Sequence, residues 1–204
     1  MKRLTPRVGN AGFTLVEVVV VIAVVALLAA IMTPLIAKNI DDAKLGRAEN
    51  EAEVIAAALG NFYKDVGRWP TMDAASAYNG VTTLVSGNAA SPGTAVNSNG
   101  WVSDTSTATV DFLDNHLADN NPKGAATYPT AGRLAWRGPY INQVPLDPWG
   151  TPYVVNIQAT DSGATPTKGL VLSPGPNGVV DTAFNTTRTT QPANDDIAVS
   201  FYVR

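Results

Sequence analysis

The chain has 204 residues, a formal charge of −3, no cysteine and a single histidine, His116. Without cysteine there is no disulfide, no thiolate metal site and no thiol nucleophile; one histidine leaves a zinc site to be built from carboxylates, an unusual donor set for that metal. Basic residues cluster only at the extreme N-terminus, as Lys2, Arg3 and Arg7, so the chain offers no electrostatic footprint for nucleic acid.

From Phe13 to Ala37 only Thr14, Glu17, Thr33 and Pro34 interrupt a run of Val, Leu, Ile, Ala, Met and Phe. A helix needs ~20 apolar residues to cross a bilayer core, and this run exceeds that. The basic residues ahead of it predict a cytoplasmic N-terminus, with the rest of the chain delivered across the membrane. Glu17 is the anomaly. A carboxylate in such a helix is unfavourable by roughly 2.5–3.5 kcal/mol at mid-membrane and needs a partner. A cleaved secretory signal, with Ala29 and Ala30 as the small residues before the cut, and a plain membrane anchor are both compatible with hydropathy. Neither explains Glu17.

Gly12-Phe13-Thr14-Leu15-Val16-Glu17 at the head of an apolar helix, behind a basic leader, resembles the class III signal of type IV pilins and type II secretion pseudopilins. That resemblance implies cleavage by a prepilin peptidase between Gly12 and Phe13 and methylation of the new amine on Phe13. It also implies that Glu17, fifth in the mature chain, pairs with the N-terminal amine of a neighbouring subunit in a filament. The chemistry agrees. An α-amino group titrates near ~8, so it is mostly a cation at neutral pH, and a buried ion pair that needs both members sets register more than it adds stability. Loss of the leader, residues 1–12, removes three positive charges and takes the chain from −3 to −6.

Beyond Pro34 the pattern changes. Ile36, Ile40, Ala43, Ala48, Ala52, Ile55, Leu59 and Phe62 recur mostly every three or four residues, with Asp41, Asp42, Lys44, Arg47, Glu49, Glu51 and Glu53 between them. This predicts an amphipathic continuation of the same helix, in all from Phe13 to Lys64 and roughly 78 Å long at ~1.5 Å per residue. Residues 13–37 are then the membrane or filament-core half and residues 38–66 the half that packs on a globular domain, residues 67–204. Pro34 lacks an N–H and is expected to kink or locally melt the helix, unless it ends a transmembrane segment outright. The charged positions Asp41, Asp42, Lys44 and Arg47 read as a solvated face, with pairing between subunits as the alternative. Gly67-Arg68-Trp69-Pro70-Thr71 stops the helix; Trp69-Pro70-Thr71 resembles the Tyr-Pro-Thr found there in pseudopilins.

Residues 72–135 are rich in Ala, Ser, Thr, Asn and Gly and form an enlarged loop region relative to that family. Asp73 is expected to cap a short helix through Leu84 and Val85, and Thr109–Leu117 to form another. Residues 86–104 read as loop, with Trp101 as a lid residue on the domain. His116 reads as a surface helix residue.

The segment Gly138-Pro139-Tyr140-Ile141 … Val144-Pro145-Leu146-Asp147-Pro148-Trp149-Gly150-Thr151-Pro152-Tyr153 is stiff. Its prolines fix φ, Gly150 can take φ > 0 and Asp147 can form an Asx turn, while Trp149 and Tyr153 would anchor it to the core. It resembles the Pro-x-Asp-Pro-Trp-Gly stretch of the major pseudopilin of type II secretion. The β-prone runs 153–158, 169–173 and 197–203 predict three strands. The expected fold is α+β: a long N-terminal α-helix packed on a small antiparallel β-sheet, the type IV pilin-like fold that the resemblance implies.

Between the last two predicted strands the resemblance implies one Ca²⁺. Leu172, Ser173, Asn177, Asp195 and Asp196 fall on the positions that hold it in major pseudopilins. Calcium takes six to eight oxygens. Asn177 stands where that family usually has Asp, and residues 182–193 lengthen the loop, so this chain departs from the pattern twice.

No Ser/His/Asp set, glycine-rich phosphate loop or metal cluster supports an enzyme. The expected function is that of a structural subunit of a periplasmic pseudopilus, assembled as a homopolymer. Its partners would be a prepilin peptidase, an inner-membrane assembly platform, minor pseudopilins and, before assembly, membrane lipid. Two alternatives stay open: the major pilin of a surface type IV pilus, and a membrane-anchored periplasmic binding domain.

Overall fold

The computed structural model describes residues 12–78, 80–87, 96, 98–102, 107–157, 169–184 and 191–201. The chain divides into two compact units, residues 1–43 and 44–204. One element runs through the division: helix α1, Leu15–Val66. Pro34 lies inside it and does not terminate it. The Ala30 carbonyl has no N–H to receive at Pro34, and the Thr33 hydroxyl bonds the Ala29 carbonyl at 2.8 Å. α1 stops at Gly67, whose φ of +73° and 2.8 Å bond from N–H to Tyr63 O form a left-handed C-terminal cap.

In the N-terminal unit every described position from Gly12 to Ala43 is exposed. The helix contains an 18-residue stretch of mean hydropathy 3.1 with none of it buried, long and apolar enough to cross a membrane. No described residue of the N-terminal unit covers it.

The second unit holds the core. The described strands are β1 (Thr83–Val85), β2 (Val110–Phe112), β3 (Val154–Asn156), β4 (Gly169–Ser173) and β5 (Ile197–Phe201). They form one sheet in the order β2-β1-β3-β4-β5. The three strands expected from the C-terminal sequence are adjacent and antiparallel. β1 and β2 extend the sheet from the middle region and pair parallel, Thr83 opposite Val110. The α+β arrangement holds, but the sheet is mixed and five-stranded rather than wholly antiparallel. β1 occupies the end of the segment expected to be a helix capped by Asp73; Asp73 instead closes a turn, its Oδ1 accepting the N–H groups of Ala75 and Ala77. The helix expected over 109–117 is only its second half, α2 (Leu113–Leu117), with β2 before it.

Register explains how the sheet is covered. Leu84, Val155, Val171 and Val199 stand opposite one another across four strands. They pack with the α1 stripe Ala52, Ile55, Leu59, Phe62 and Val66. That stripe becomes buried only at Ala48; Ile36, Ile40 and Ala43 are exposed. The next residues in register, Val85, Val154, Leu172 and Ala198, point to the opposite face, as alternation requires. They meet a second core of Val96, Trp101, Val110 and Val180. Trp101 is 2% exposed and its indole N–H bonds Thr182 O at 2.8 Å. It is a lid residue as expected, and the face it lids lies opposite α1.

Candidate functional site

At the head of α1, Gly12 and Phe13 precede the first turn, and the Phe13 side chain is 88% exposed. Thr14 and Glu17 form a reciprocal cap. The Thr14 Oγ1 accepts the Glu17 N–H at 3.3 Å, and Glu17 Oε2 accepts the Thr14 N–H at 2.9 Å and its hydroxyl at 2.8 Å. This is the capping box S/T-x-x-E, which satisfies two N-terminal donors of a helix at once. Reading Thr14 and Glu17 only as part of a processing signal misses this cap, which gives Glu17 a partner within its own chain. Both bonds fall on Oε2, and among the described residues Oε1 accepts none.

The Pro-rich segment forms the turn expected of it. Asp147 is buried. Its Oδ1 accepts the N–H groups of Trp149 at 3.0 Å and Thr151 at 2.7 Å, and Gly150 has φ of +89°. Its Oδ2 accepts the Ser173 hydroxyl at 2.7 Å, which ties the turn to the end of β4. Tyr153 anchors the far end, fully buried, with its hydroxyl donating to Glu51 Oε2 at 2.7 Å; Trp149 is only half-buried. Glu51 also receives Arg47 Nε at 2.8 Å. Burial and then the Glu51 carboxylate hold the Tyr153 phenol protonated, far above its ordinary range. Arg47 is thus engaged within the chain, one turn from its acid.

His116 is a correction. It is fully buried, with Nδ1 2.6 Å from the Tyr128 hydroxyl and Nε2 2.9 Å from Asp111 Oδ2. The Nε2 contact is close without the alignment of a hydrogen bond. Asp111 also receives the N–H groups of Phe112 and Lys123 and the Asn115 amide. Burial acts to raise the Asp111 carboxyl, but His116 and these donors outweigh it, and it sits below its usual range. The cluster joins β2, α2 and the 122–128 segment, with no opening to solvent at His116. Sequence pattern misses it because α2 is little more than one turn long and His116 shares its buried face with Leu113 and Leu117.

The β4–β5 loop brings Asn177, Asp181, Asp195 and Asp196 together. Asn177 donates its backbone N–H to Asp195 Oδ2 at 2.9 Å and its side-chain amide to Asp195 Oδ1 at 2.6 Å and Asp181 Oδ2 at 3.2 Å. Asp196 Oδ2 accepts the N–H groups of Asp181 and Thr182, while its Oδ1 is buried without a partner. Burial raises the Asp196 carboxyl, more than its hydrogen bonds lower it. Asp181 is not among the positions the resemblance points to. Of the other positions expected to hold calcium, Leu172 lies in β4 opposite Ala198 and the Ser173 hydroxyl is engaged with Asp147. Among the described residues no three His, Asp or Glu side chains converge to hold a metal ion. In this arrangement Asn177 turns its amide N–H groups, not an oxygen, toward Asp181 and Asp195.

Two family matches fall on these regions. Residues 7–33 match the prokaryotic N-terminal methylation motif, and residues 120–186 match type II secretion system (T2SS), protein G. A type II secretion system core protein G of Klebsiella pneumoniae is 26% identical over 186 residues, 91% of each chain. One from Escherichia coli K12 is 26% identical over 171 residues, covering 84% of this chain and 85% of its own. The fimbrial protein EcpC of Eikenella corrodens is 36% identical over 76 residues, 37% of this chain and 48% of its own. The crystal structure of the major pseudopilin from the type 2 secretion system of enterohaemorrhagic Escherichia coli overlays with a TM-score of 0.38 at 20% identity, over 79% of this chain and 86% of that one. That overlay is too loose to argue from, and the fold stands on the chain's own topology. The motif at one end and the protein G match at the other make the chain similar to type IV pilin-like proteins. Among such proteins, its similarity runs to the type II secretion system protein G family.

Proposed function

We propose that the chain is a subunit of a type II secretion pseudopilus that is stored in the inner membrane and polymerises through the apolar half of α1. The observation that carries this reading is the pairing of two features: an uncovered apolar helix headed by Phe13 and Glu17, and a folded second unit with its own core. Such a helix cannot stay in water. Its apolar side chains would be hydrated at a cost of ~25 cal/mol per Å². Lipid satisfies it in the stored subunit, and copies of the same helix satisfy it in a fibre.

In this reading a prepilin peptidase cuts between Gly12 and Phe13 and the Phe13 amine is methylated. The subunit spans the inner membrane once, with residues 67–204 in the periplasm. An assembly platform and minor pseudopilins start and feed the fibre. Glu17 changes partners in part: Oε2 keeps Thr14, and Oε1 accepts the cationic amine of the next subunit, which fixes register. Co-expression with a prepilin peptidase followed by intact mass and N-terminal sequencing tests the first step. A mature chain beginning at N-methylated Phe13 supports the proposal; a chain beginning after Ala30, or uncleaved, sinks it.

A further inference from the structure

We propose that the Asn177 side-chain amide closes the β4–β5 loop in place of the cation that the family resemblance leads one to expect, so that this chain folds its head without calcium. The acids Asp181, Asp195 and Asp196 lie on one loop. Among the described residues no Lys or Arg forms an ion pair with any of them. Carboxylates so placed need donors or a cation between them. Asp196 Oδ2 takes the N–H groups of Asp181 and Thr182, and the donors to Asp181 and Asp195 come from one residue. The two N–H groups of the Asn177 amide go to Asp195 Oδ1 at 2.6 Å and Asp181 Oδ2 at 3.2 Å, and its backbone N–H goes to Asp195 Oδ2 at 2.9 Å.

The amide cannot be turned the other way round. Its Oδ1 accepts the Val179 N–H at 2.6 Å, a group that can only donate, so Nδ2 must face the acids. The loop is fitted to this arrangement. Gly175 has φ of +67°, and a Cβ there would collide with the Asp195 carbonyl, so the two arms of the loop touch backbone to backbone. An aspartate at position 177 would reverse the logic. It accepts from Val179 equally well and keeps the backbone N–H to Asp195, but its side chain presents a carboxylate oxygen to two other carboxylates and supplies no donor. That loop would close only around a cation. One atom, nitrogen for oxygen, therefore separates a self-closed loop from a metal-closed one.

The full-length mature protein in detergent micelles, unfolded thermally with tryptophan fluorescence as the readout, tests this in chelator and in millimolar CaCl2. The wild-type midpoint is expected to be the same in both. Asn177→Asp is expected to unfold several degrees lower in chelator and to regain that loss in calcium. Calorimetric titration of the wild type with CaCl2 is expected to show no saturable heat. A wild-type midpoint that climbs with calcium, a saturable binding heat, or an Asn177→Asp variant as stable in chelator as the wild type would overturn the proposal. Because none of these measurements involves assembly, the result is independent of the filament reading.

Discussion

Asp196 shows how one loop residue couples to pH. Burial leaves its Oδ1 without a partner and lifts its pKa above that of an unfolded aspartate, ~3.9. A group with a raised folded pKa binds its proton more tightly in the folded state. Its contribution to stability is therefore complete below about pH 4 and is lost as pH rises through the folded value. Asp196→Asn removes the charge and leaves an oxygen for the Asp181 and Thr182 N–H groups. The variant should gain stability relative to wild type as pH climbs from about 4 toward neutrality. Urea unfolding of both proteins at the two pH values checks this, and a relative gain at acid pH instead would reverse the assignment. Residues of this kind are poorly legible in sequence. Asp195 and Asp196 read as positions for a cation, and His116 read as a surface residue, because a buried polar group is defined by partners outside its own element. His116 is buried by Tyr128 and Asp111, on separate segments. By contrast Gly12, Phe13, Thr14 and Glu17 are legible, since their relationship lies within one helical turn.

Among the elements, the turn from Val144 to Tyr153 organises most. It feeds β3, binds β4 through Asp147 and Ser173, and reaches α1 through Tyr153 and Glu51. Asp147→Ala would strip three hydrogen bonds from a buried acceptor and leave two backbone donors without partners. Hydrogen bonds to charged groups are worth ~1.5–3 kcal/mol each and do not add fully, so a loss of about 3 kcal/mol is expected. Chemical denaturation of the variant measures it; a loss within experimental error would show that the turn is held by its prolines alone. The turn and the last three strands were readable because each is a local pattern: spaced prolines, Asp-Pro-Trp-Gly, β-branched runs. β1 and β2 were not. Each is three residues long, in a polar stretch, and becomes a strand only by pairing with a segment some 27 residues away, Thr83 with Val110. The second core was hidden for the same reason. Trp101 and Val180 meet Val85 and Val154 only once the sheet exists.

At the scale of the whole molecule, the chain divides its labour between a helix half that no described residue of its own unit covers and a head that is closed on both faces of its sheet. A head with both faces covered has little cause to polymerise by itself, whereas the apolar helix must be covered by lipid or by other copies of itself. In the proposed fibre Glu17 is where that requirement becomes specific, because a carboxylate in an apolar bundle needs a cationic partner. Shearing or detergent extraction of cells that carry the assembly machinery, with recovery of fibres followed by electron microscopy and immunoblotting, tests this claim most directly. Wild-type chains should appear in fibres, and Glu17→Ala chains should be cleaved to the same mature N-terminus yet be absent from them. Fibres of normal abundance from the Glu17→Ala chain would contradict the account.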